Sequence, residues 1–64
     1  MTQFTVSSRT VRVVFESKNG DFRSRYVVIS QNPGDTEPML MAKASDAYHR
    51  RYGFGHRVVS IHLN

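Results

Sequence analysis

The residues best equipped for chemistry in this chain are its arginines. Arg12, Arg23 and Arg25 sit in two segments rich in β-branched residues, beside Val27 and Ile29. A guanidinium is planar and pairs carboxylates two bonds at a time, so arginines on one sheet face suit an acidic protein partner. A second group is Lys43, Arg50, Arg51 and Arg57, with Tyr52 and Phe54 near Arg50 and Arg51. Cations interleaved with aromatic rings suit phosphates and stacked bases, which is the chemistry of DNA or RNA binding. The three histidines, His49, His56 and His62, lack the i, i+4 spacing of a helical metal pair. His56 and His62 fall on one strand face but six residues apart, about 20 Å along the strand. No metal and no cofactor is expected. Ser, His and Asp are all present, but no nucleophile-elbow pattern frames a serine. Gly53-Phe54-Gly55 follows a helical stretch instead of preceding one, so it reads as a helix stop and turn, not a phosphate cradle.

Size limits what these groups can do. The chain has 64 residues, no cysteine, and 9 Lys and Arg against 5 Asp and Glu, for a net charge of +4. That is enough for one small domain, 1–64, with 1–8 either flexible or extending the first strand. Without cysteine there is no disulfide scaffold and no thiolate zinc site. A substrate cavity needs on the order of 300–1,000 Å³, and a core this small has few side chains to enclose one. The expectation is a non-catalytic protein. No apolar run is long enough to cross a membrane, and no charged region followed by an apolar stretch opens the chain, so a cytoplasmic protein with no membrane partner is expected.

Four segments must position the cations. Thr10–Ser17 (TVRVVFES) and Phe22–Ser30 (FRSRYVVIS) read as strands, and Asn19-Gly20 between them predicts a two-residue type I′ hairpin. Asp35 or Thr36 can cap a helix over Met39–Tyr52, with Pro38 tolerated in its first turn and Gly53 as the stop. His56–Leu63 (HRVVSIHL) alternates as a third strand. Phe4 and Val6 could extend the first strand or lie across the core. The order ββαβ predicts an α+β fold: a three-stranded antiparallel sheet, order 2-1-3, with one helix packed on one face.

The two-residue turn sets a register that pairs Lys18 with Asp21, Glu16 with Arg23 and Arg12 with Val27. Val11, Val13, Phe15, Phe22, Tyr26 and Val28 then form the core face, with Val59, Ile61 and Leu63 from the third strand. The helix would contribute Leu40, Met41, Ala44, Tyr48 and Tyr52. The open face would carry Arg12, Val14, Glu16, Arg23, Arg25, Val27, Ile29, Val58, Ser60 and His62, with Glu16 and Arg23 as a cross-strand ion pair. An apolar centre with an arginine rim has the anatomy of an interface.

The run VRVVFES, hairpin, RYVVIS, one helix, then a glycine turn into HRVVSIHL resembles the short bacteriophage inhibitors of bacterial RNA polymerase, from Val11 to Leu63. Ala47 and Tyr52 before Gly53 add to the likeness, which carries no shared motif. It departs in charge: that group is acidic along its helix and hairpin, whereas these stretches are net basic. That group also has two arginines at alternate positions of its last strand, where Ser60 and His62 fall here. The resemblance implies a small phage or mobile-element protein that occupies a surface on a host machine and inhibits or modulates it.

Three readings follow. The first is a binding protein that docks Arg12, Arg23, Arg25, Val27, Ile29 and His62 on an acidic host protein such as RNA polymerase. The alternative is a nucleic-acid binder using Lys43, Arg50, Arg51 and Arg57. The third is a homodimer stacking Val14, Val27, Ile29 and Val58 of two open faces.

Overall fold

The computed structural model describes residues 7–63. They form β1 (Ser7–Glu16), β2 (Phe22–Gln31), α1 (Glu37–Tyr52) and β3 (Arg57–Leu63). The sheet is antiparallel with order β2-β1-β3, as the sequence predicts, and the helix packs on one face. Ser7 and Ser8 extend the first strand; Phe4 and Val6 lie outside the described residues.

The hairpin differs from expectation by one residue, and the consequence is large. A type I′ turn needs positive φ at both Asn19 and Gly20. Gly20 has φ +83°, but no residue other than glycine takes a positive φ among the described residues. Ser17 N–H donates to the Asp21 carbonyl (2.8 Å), and Gly20 N–H donates to the Ser17 carbonyl (3.0 Å). Lys18-Asn19-Gly20 is therefore a three-residue connection closed by a left-handed glycine, the next commonest hairpin solution.

Adding one residue to the connection turns β2 over, because side chains alternate with period two. Val11 now faces Val27, Val13 faces Arg25, and Phe15 faces Arg23. Val27 and Ile29, expected outside, are buried, while Phe22, Tyr26 and Val28, expected in the core, are 65%, 60% and 66% exposed. Burial follows the register imposed by the turn over the larger aromatic side chains.

The core is Val11, Val13, Phe15, Val27, Ile29, Leu40, Ala44 and Tyr48. Each large member contributes about 1.5–3 kcal/mol by leaving water. In α1, Leu40, Ala44 and Tyr48 sit four apart and face the sheet, while Met41, a turn-step to the side, is exposed. Thr36 caps the helix by accepting from Met39 N–H (3.5 Å), and Gly53 ends it at φ +79° by donating to the His49 carbonyl (2.8 Å).

β3 carries the second correction. Val14 pairs with Ser60 but Phe15 with Val58, so Val59 is an extra residue bulged out of the ladder. Ile61 and Leu63 pack on the core as expected. Val58 joins them in place of Val59, which is exposed.

Candidate functional site

The expected binding set divides between two sides of the sheet. Arg12 and His62 share a row with Tyr26 on the open face. Arg23 and Arg25 lie with buried Val27 and Ile29 on the helix side. The predicted Glu16–Arg23 ion pair is replaced by Glu16–Arg57 (3.2 Å), because the register places Phe22 and Arg57 on either side of Glu16. The dimer surface built on Val27, Ile29 and Val58 does not form as composed, since these residues pack against the core.

The turned-over strand brings together residues that the sequence reading had kept apart. The Arg25 guanidinium lies 4.4 Å from the centre of the Phe15 ring and 4.3 Å from that of Tyr52. Arg51 approaches the same Tyr52 ring at 5.6 Å. Tyr52 in turn packs on buried Tyr48 (5.1 Å). A cation between two aromatic faces is attracted by both ring quadrupoles and loses its freedom to swing. Arg25 is thus fixed by β1 and by the end of α1, with Arg51 beside it.

Past Arg25, the seam between β2 and α1 opens into a groove of about 450 Å³. Val28, Ile29 and Ser30 form its strand wall, and Lys43, Ala47, Arg50 and Arg51 its helix wall, with Asp46 among them. Asp46 pairs with Arg50 (3.0 Å) on the exposed helix surface. Lys43 closes the far end: its ammonium meets Asp35 Oδ2 (2.6 Å) and donates to the Ser30 carbonyl (3.0 Å). That lysine bond and an N–H from Asn32 hold the Asp35 carboxyl below its ordinary value of 3.8. The side chain of Asp35 is only 7% exposed, so the contact staples the loop after β2 to the helix.

From Arg23 to Lys43 the seam is therefore a basic stripe that joins Arg23 and Arg25 of the first predicted set to Lys43, Arg50 and Arg51 of the second, while Arg12 and His62 lie on the open face and Arg57 is held by Glu16 on β3. Sequence reasoning missed the Arg25–Tyr52 clamp because its register pointed Arg25 away from the helix. The helical spacing of Tyr48 and Tyr52 was the available signal.

The histidines are dispersed. His49 stacks on exposed Phe54 (4.4 Å, 8° between planes), His56 meets Phe15 (5.1 Å), and His62 contacts Ser60 Oγ (3.0 Å) on the open face. His56 precedes β3 and faces the core side, so it does not share a strand face with His62. Among the described residues, no group of three or more His, Cys, Asp and Glu could hold a metal, and no helix is long and apolar enough to cross a membrane. No family model matches the chain, and no curated protein or solved structure matches it.

Proposed function

We propose that this chain is a small non-catalytic binding protein that docks on an acidic surface of a host macromolecule and modulates or inhibits it, a phage or mobile-element type of activity. The observation that carries this reading is the basic stripe along the β2–α1 seam, with Arg25 already immobilised between Phe15 and Tyr52. A fixed guanidinium loses less entropy on pairing with a carboxylate than a mobile one. The net charge of +4 steers the protein toward an acidic partner, an effect that salt weakens. The resemblance in element order makes bacterial RNA polymerase the first partner to test.

The docking cations to reverse are Arg50 and Arg51, because reversing Arg25 would also break a packing contact. Arg50→Glu/Arg51→Glu protein should keep its circular dichroism spectrum and lose nuclease-resistant capture of polymerase. Undiminished capture by the double variant would remove the seam from the interface.

A nucleic-acid reading is favoured by a different observation. Phe22 and Tyr26 are exposed on the open face, where Tyr26 shares a row with Arg12 and His62. Exposed rings beside cations can stack on bases. A gel shift with a single-stranded oligonucleotide at two salt concentrations tests this; absence of a shift at low salt excludes it.

A further inference from the structure

The hydrogen-bond pattern of β2 fixes which of its backbone groups face outward. In an antiparallel pair, residues alternate between exchanging both bonds with the neighbour and pointing both away. The bond from Ser17 N–H to Asp21 makes that pair a bonded one. Stepping by two along the register, Arg23, Arg25, Val27 and Ile29 bond to β1. Ser24, Tyr26, Val28 and Ser30 then turn N–H and C=O to the free edge. The Ser30 carbonyl does so visibly, since it accepts from Lys43 on the helix. Among the described residues β2 has β1 as its one strand neighbour.

We infer that an extended, acid-rich peptide segment adds to this edge as a fourth strand, with its backbone on Ser24, Tyr26 and Val28 and its acidic side chains in the groove toward Arg50 and Arg51. The inference rests on the docking reading above and specifies how the partner is held. Strand addition combines main-chain bonds with pockets for alternate side chains. Neighbouring strands share facing, so residues pointing to the helix meet Arg51 and Arg50, the latter shared with Asp46, and those between them meet exposed Tyr26 and Val28. The matching sequence alternates acidic with apolar residues. A second copy is the poorer occupant: joining two β2 edges antiparallel would bring two cationic helix walls, each with Arg50 and Arg51, onto one face of the joined sheet, and like charge is one way edge strands resist self-pairing.

The test titrates the intact protein with a blocked octapeptide of alternating Glu and Val, and follows amide exchange by NMR. The expected result is new exchange protection at Ser24, Tyr26 and Val28. Affinity should fall at least about tenfold when alternate peptide nitrogens are methylated, because the edge bonds are then lost. The Val28→Pro variant should lose binding likewise, and the methylated peptide keeps the test valid if that variant misfolds. A Lys-Val peptide should not bind. Binding with unprotected edge amides and no penalty for methylation overturns strand addition while leaving acidic docking at the seam intact. Failure of the Glu-Val peptide to bind overturns strand addition, and an oligonucleotide binding the same groove in its place overturns acidic docking as well.

Discussion

The two outer strands of this sheet meet solvent by different means. β3 is seven residues long, is interrupted by the bulge at Val59, and begins with Arg57 held by Glu16. β2 is ten residues long, pairs with β1 without a register shift, and is flanked on its helix side by cations. Bulges and short length blunt an edge against any partner, whereas charge blunts it against partners of like charge alone. One edge is closed by shape and the other is selective by sign. The second kind suits the acidic docking proposed above.

Three measurements break or sharpen this contrast. The largest effect removes the support common to both edges. Tyr48 is fully buried and packs on Phe15 and Tyr52, so Tyr48→Ala should cost about 3–5 kcal/mol. A domain this small has about that much stability in total, so the urea transition should collapse. An unshifted midpoint would mean that the core is assembled differently.

A smaller effect separates the two edges. Arg25→Ala removes a cation held between two rings and should cost about 1–2 kcal/mol. Arg57→Ala removes an exposed pair and should cost under about 1 kcal/mol. Equal shifts in thermal midpoint would erase the distinction drawn between the strands.

The smallest is confined to the end of the β2 edge. Asp35 has its pKa lowered in the folded protein, so its contribution is fully present above the ordinary aspartate range and is lost as pH falls through the folded value. Stability should decline below about pH 4, and the decline should be shallower in Asp35→Asn. Matching acid profiles for the two proteins would show that the Lys43–Asp35 staple does not hold.

Element order, the helix with its Thr36 and Gly53 ends, and the inward set of β1 were all legible in the sequence, because each has a local cause. Val11, Val13 and Phe15 alternate with Arg12, Val14 and Glu16, two of them charged, so one face is clearly the more apolar. β2 offers no such choice: Phe22, Tyr26 and Val28 balance Val27 and Ile29. The decision then fell to a turn in which Asn-Gly is compatible with two connection lengths. The bulge at Val59 was hidden for a related reason, since Val58 and Val59 are the same residue type. The basic stripe followed the register. The sequence marks each of its cations but divides them between two surfaces.

The connection at Lys18-Asn19-Gly20 therefore works as a length gauge. Shortening it by a single codon would roll β2 through half a turn, sending Arg23 and Arg25 to solvent and aromatic rings toward the helix. Neither stripe of that strand is too polar to be packed, so hydrophobicity alone gives weak protection against the inverted arrangement. Which side chains of β2 line the groove is thus stored in a count of residues at the tip of a hairpin, away from the helix wall of that groove.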